Sequence, residues 1–169
     1  MIELASVDSP IGPLTVAARA GHVCLLHFGG EDRYVRGWIE RWYPGMALER
    51  TPDPARVVST LRRYFDGALD VLDEVPVELN GTPFQKRVWQ RLRAVRAGST
   101  ASYAELARTI GASNAVRAVG AANGANPVAV IVPCHRIIGS NGSLTGYGGG
   151  LERKRWLLRH ERAAARTLF

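Results

Sequence analysis

Pro133-Cys134-His135-Arg136 sets a thiol directly beside an imidazole, behind the apolar run Val128-Ala129-Val130-Ile131-Val132 and ahead of a glycine-rich stretch. A thiolate is a soft, strong nucleophile, but an unperturbed thiol is only a few per cent ionised near pH 7 and needs a base. His135 supplies an imidazole at the neighbouring position. Free cysteines are often no more than small buried hydrophobes, yet a core cysteine has no need of such a neighbour. The five apolar residues read as a buried strand that ends at the thiol and holds it in place.

The elements that must position this thiol come from one chain of 169 residues with 46% hydrophobic content, enough for one good core or two small ones. No apolar stretch approaches a membrane span, and Met1-Ile2-Glu3-Leu4 does not look like a signal peptide. Cys24 and Cys134 lie far apart with no paired spacing, which points to a reducing, cytoplasmic setting rather than a disulfide scaffold. The net charge of +7 is unevenly spread. Residues 1–80 hold 8 Arg against 12 Asp and Glu, whereas residues 81–169 hold 14 Lys and Arg against only Glu105, Glu152 and Glu161. Such asymmetry implies that the second half meets a polyanion.

Residues 1–80 read as a small α+β unit. Segments 2–8, 13–18 and 23–28 read as short strands of an antiparallel sheet, with turns at Pro10-Ile11-Gly12-Pro13 and Ala20-Gly21. A helix is expected from Glu31 to Trp42. Asp53-Pro54 opens another, with Val57, Val58, Leu61, Tyr64 and Phe65 as its apolar face. His22, Cys24 and His27 are close in sequence, but they lack a second ligand-rich half, and no metal is expected.

Residues 81–169 read as mainly helical. Thr82-Pro83-Phe84-Gln85 is a capping box, followed by Phe84, Val88, Leu92 and Val95 on one face. Ser102-Tyr103-Ala104-Glu105 is a second capping box, starting a helix through Ile110. After Gly111-Ala112-Ser113, another helix is expected from Asn114 to Ala122, making a helix-turn-helix or an ordinary helical hairpin. In that second helix Val116, Val119 and Asn123 should pack inward. Asn114, Ala118 and Ala121 lie opposite, flanked by Arg117 and Ala122. An alanine surface with one arginine suits close approach to a minor groove with little sequence specificity. Asn141-Gly142 signals a hairpin turn. A last helix from Leu151 should pack through Leu151, Leu157 and Leu158.

Val132-Pro133-Cys134-His135-Arg136, Asn126-Pro127 and Tyr147 with its glycines together resemble the O6-alkylguanine-DNA alkyltransferases. Phe84-Gln85 with Val88-Trp89, Ser102-Tyr103, Arg117-Ala118-Val119-Gly120 and Leu157-Leu158 with Glu161 extend the resemblance across residues 82–161. Ser9-Pro10-Ile11-Gly12 carries it into the first half, and Arg96 departs from a common proline. The resemblance implies a ribonuclease H-like first domain and a winged-helix type of helix-turn-helix. It implies single-turnover transfer of an alkyl group from flipped-out O6-alkylguanine in double-stranded DNA to Cys134, without a cofactor.

In that scheme His135 acts on the thiol through a bridging water, because adjacent side chains on extended backbone diverge. Glu161 holds the imidazole tautomer as the acid of a triad does. Tyr103 serves guanine N3, Asn126 braces the turn, and Arg117 fills the space of the flipped nucleotide. Ser140 touches that nucleotide's backbone. Tyr147 and Gly148 close over the base, and Val130 and Val132 give the pocket apolar wall. Ala118 and Ala121 meet the groove. The protein is expected to be monomeric, with cooperative binding along DNA left open. A helix-turn-helix regulator or a lesion sensor is the alternative, but neither needs Cys134, His135 and Glu161 together.

Overall fold

The structure, a computed structural model, describes residues 1–166, with side chains as far as Arg162. Strands β1 (Ile2–Val7), β2 (Leu14–Arg19) and β3 (His22–Phe28) form an antiparallel meander. After helix α1 (Arg33–Trp42), strand β4 (Leu48–Arg50) pairs parallel to β1, giving the order β3-β2-β1-β4. The sheet is therefore mixed and not purely antiparallel as expected from its turns. A helical crossover after β3 returns the chain in the same direction, which makes a parallel pair. The exposed, three-residue β4 carried no alternation to reveal it.

Helix α2 (Val57–Phe65) starts later than Asp53-Pro54 suggests, because a 3₁₀ turn at Pro54–Arg56 intervenes. Asp53 still caps it, accepting from Val58 N at 2.7 Å. Helix α3 (Pro83–Leu92) begins with the expected box: Gln85 N donates to Thr82 Oγ1 and Thr82 N donates to Gln85 Oε1. Strand β5 (Ala101–Ser102) leads into α4 (Tyr103–Thr109), where Ser102 and Glu105 repeat the box. Helix α5 (Val116–Gly124) completes the helical pair. The buried Trp89 indole N–H donates to Ala122 O at 2.7 Å, tying α3 to α5.

The inward stripe of α5 is Val119, Ala122 and Asn123. Val116, expected inside, is 37% exposed, and Ala122, expected on the flank, is buried. The helix begins at Val116 itself, so that side chain sits at its open end. Strand β6 (Ile137–Ile138) pairs parallel to β5. A tight turn follows, with Gly139 N donating to Ser143 O and Gly142 at φ 82°, but no hairpin strands flank it. In α6 (Leu151–Arg166) Leu157 is buried and Leu158 half-buried. Leu151 is 42% exposed, while Lys154 is fully buried.

The run 128–132 is not a strand. Only Val128 bridges, to Leu26 of β3, after which the backbone turns on itself. Ile131 N donates to Ala129 O, Val132 N donates to Val128 O, and Val130 lies at φ 70°. Asn126 clamps the turn at both ends: Val128 N donates to its Oδ1 at 2.9 Å, and its Nδ2 donates to Val132 O at 2.7 Å. The residues are apolar because they are buried on every side, and the clamp overrides their β preference. One apolar cluster runs from β2 and β3 through α2, α3 and α5 to this turn and Leu157 of α6. A second, with Cys24, lies between the sheet and α1.

Candidate active site

Pro133 leads into a 3₁₀ turn at Cys134–Arg136, so the thiol sits on a compact turn and not on extended backbone. Cys134 is 6% exposed and forms part of the wall of a cavity of about 440 Å³. Tyr103, Asn126, Ala129, Tyr147 and Gly148 also line it, and α5 contributes Gly120, Asn123 and Gly124. The opposite wall comes from β3 and the start of α1, with Leu26, Phe28 and Tyr34. Phe28 meets Tyr147 edge-on, with ring centres 5.7 Å apart. A Cβ on Gly149 would stand 2.6 Å from Phe28 and 2.8 Å from Tyr147. The glycine is required there by contact, because the loop backbone lies against both rings.

Two cations of α6 hold this loop. Arg153 donates to Gly149 O and to Ile11 O of the first half. The buried Lys154 ammonium donates to Ile137 O at 2.6 Å, Thr145 O at 3.0 Å and Gly146 O at 3.4 Å. Tyr103 donates its hydroxyl to Thr145 O at 3.1 Å. Burial pushes the Cys134 thiol up, with Asn126, Lys154 and Tyr147 pulling it partly back.

Behind the thiol lies a buried ionic cluster. Glu161 Oε1 accepts from His135 Nε2 at 2.7 Å, from Arg136 Nη2 at 2.8 Å and from the Tyr64 hydroxyl at 2.8 Å. Its Oε2 accepts from Arg136 Nε at 3.0 Å, and Arg136 Nη1 donates to Val95 O. His135 and Glu161 are fully buried. Burial alone would raise the Glu161 carboxyl, but His135 and Arg136 outweigh it and hold the group well below the usual carboxylate range. Burial lowers His135, against the opposing pull of Glu161. The imidazole is thus neutral at rest. Its Nδ1 is buried with no partner among the described residues, which leaves that nitrogen open to take a proton.

The profile of the family described as 6-O-methylguanine DNA methyltransferase, DNA binding domain, matches residues 83–163, and that of its ribonuclease-like domain matches residues 3–79. The chain belongs to the 6-O-methylguanine DNA methyltransferase family. A methylated-DNA–protein-cysteine methyltransferase of Mycobacterium bovis is 46% identical over 168 residues, covering 98% of this chain and 95% of its own. One from Shigella flexneri is 51% identical over 109 residues, 64% of each chain. The crystal structure of Mycobacterium tuberculosis O6-methylguanine methyltransferase superposes with a TM-score of 0.82 at 42% identity, over 97% of this chain and 94% of that one. The structure of Mycobacterium tuberculosis OGT in complex with DNA gives a TM-score of 0.81 at 42% identity, covering 96% and 94%.

In this methyltransferase-family chain the cavity gathers Cys134, Tyr103, Asn126, Tyr147 and Gly148, with His135 and Glu161 behind it. Val130 does not line it, and neither does Val132; Ala129 takes that place, because the turn points Val130 into the core. Arg117, Ala118 and Ala121 are exposed along α5, outside the cavity, and Ser140 is exposed in the 139–143 turn. Tyr64, Arg136, Lys154, Arg153 and Phe28 were not singled out as site residues from the sequence. Arg136 could have been flagged by its place next to His135, and the others gave no local signal. Among the described residues no group of three or more His, Cys, Asp or Glu is placed to share a metal, and no helix is long and apolar enough to cross a membrane.

Proposed function

We propose that this chain repairs O6-alkylguanine in double-stranded DNA by moving the alkyl group irreversibly to Cys134, one transfer per chain. The observation that carries this reading is the thiol on the wall of a cavity of about 440 Å³, backed by a buried imidazole hydrogen-bonded to a buried carboxylate. The thiol proton passes to His135 Nδ1 through a water, and Glu161 steadies the imidazolium. Sulfur then attacks the alkyl carbon. The S–C bond forms as the C–O6 bond breaks, and the electron pair goes to guanine, which takes up a proton to become neutral. Tyr103 eases that charge at N3. No cofactor is called for.

The base must leave the stack to reach the thiol. Residues 81–169 are read as the DNA-binding and transfer domain, with a winged-helix type of helix-turn-helix, and residues 1–80 as a ribonuclease H-like supporting domain. The exposed Ala118 and Ala121 suit a minor groove entered with little sequence specificity, and Arg117 is the residue to fill the vacated stack. Tyr147 and Gly148 close over the base, and Ser140 meets the backbone of the extruded nucleotide. The protein works in the cytoplasm as a monomer. Intact-protein mass after mixing with duplex containing O6-methylguanine tests the reading. The gain should be one methyl per chain, located on Cys134 and absent in Cys134→Ala; repeated turnover by one chain overturns it.

A further inference from the structure

The carboxylate behind the thiol is held from both halves of the chain. Tyr64 of α2 reaches Glu161 Oε1 at 2.8 Å from 97 positions away, and that oxygen is the one His135 uses. Other contacts fix the Tyr64 ring. Its backbone carbonyl accepts from His160 Nε2 at 2.8 Å, and the ring packs edge-on against His160 and Phe65 at 5.2 Å. Phenylalanine would serve that packing equally, so the buried hydroxyl has one partner among the described residues, Glu161.

We infer that Tyr64 is a positioning residue for alkyl transfer, whose hydroxyl shares the charge of Glu161 with His135 and so sets how firmly the imidazole holds a proton. This rests on the proposed role of His135 as base. Donors on one carboxylate oxygen compete: without the Tyr64 hydroxyl the oxygen is more basic and binds an imidazolium more strongly. Arg136 also faces the carboxylate, on both oxygens, from the 3₁₀ turn. Lys154 and His160 approach the cluster from α6, Cys134 and Tyr147 stand on its cavity side, and Asp73 lies toward Arg136. All of these are unchanged by a substitution at Tyr64.

The test compares benzyl uptake from free O6-benzylguanine across pH in the wild type, in Tyr64→Phe and in protein carrying 3-fluorotyrosine, a more acidic phenol, at position 64. The acid limb should rise by about half a unit in Tyr64→Phe, so that the rate below it falls about threefold, and it should move the opposite way with fluorotyrosine. Titration of His135 by ¹⁵N NMR in unreacted protein should shift in the same directions. Coincident limbs and coincident titrations in all three, even with a lower melting temperature for Tyr64→Phe, reduce Tyr64 to a packing residue and overturn the inference. Should Tyr64→Phe not fold, the fluorotyrosine arm decides alone. A wild type that takes up no benzyl group removes the proposed function, and the NMR titration still judges the coupling.

Discussion

Burial raises the pKa of the Cys134 thiol, so the resting sulfur favours its protonated form, and in the proposed reaction it becomes nucleophilic as that proton leaves for His135. Burial thus guards the sulfur while the imidazole, held neutral, stays ready. The same arrangement makes stability depend on pH in two steps. His135 is lowered in the fold, so the unfolded chain binds the proton first, and stability declines as pH falls below the ordinary histidine value of about 6.5. Glu161 is lowered as well; its contribution is complete above about pH 4.3 and is lost progressively below that. Thermal melts should show both limbs in the wild type, and His135→Gln should lose the upper one. Glu161→Gln leaves the buried Arg136 without its anion and should cost about 3–5 kcal/mol. A melting temperature independent of pH between 7 and 5 would contradict the histidine assignment.

At the level of elements, the proposed function divides the work, with the glycine loop serving the pocket and α5 the groove. Gly149→Ala forces the Phe28 and Tyr147 rings apart, an overpacking of about 1–3 kcal/mol. Reaction with free O6-benzylguanine should drop about tenfold or more, while binding to undamaged duplex stays as it was. Arg117→Ala should give the reverse, with repair in duplex impaired and reaction with the free base kept. Equal losses on both substrates in either variant would remove this division. The capping boxes at Thr82 and Ser102 were legible in the sequence because their partners lie three residues away. The run 128–132 was not, since apolar β-branched residues report burial and leave the backbone path open. That path depends on the Asn126 clamp and on Val130 at φ 70°, a strained conformation on the order of 1–3 kcal/mol. The Cys134-His135 pair was equally plain, whereas Tyr64 and Lys154 reach the site only through the packing of α2 and α6.

Across the whole molecule, one apolar cluster spans both halves, so the acidic half and the basic half stand or fall together. The ionic cluster around Glu161 crosses the same boundary. His135 and Glu161 are 26 positions apart, and the carboxylate lies on α6, the last helix described. During synthesis the earlier residues emerge first. A chain still growing through the glycine loop therefore has its cysteine and imidazole but no carboxylate to orient them, and no Lys154 or Arg153 to pin the loop. If Glu161 acts as proposed, the thiol should stay inert until α6 has left the ribosome. We predict that ribosome-bound chains carrying residues 1–148 on a linker long enough to clear the ribosome take up no benzyl group from O6-benzylguanine, whereas chains carrying residues 1–169 on the same linker do. Labelling of the shorter chains would show that the thiol is active before α6 arrives. Otherwise a protein that spends itself in a single reaction is protected from being spent before it is finished.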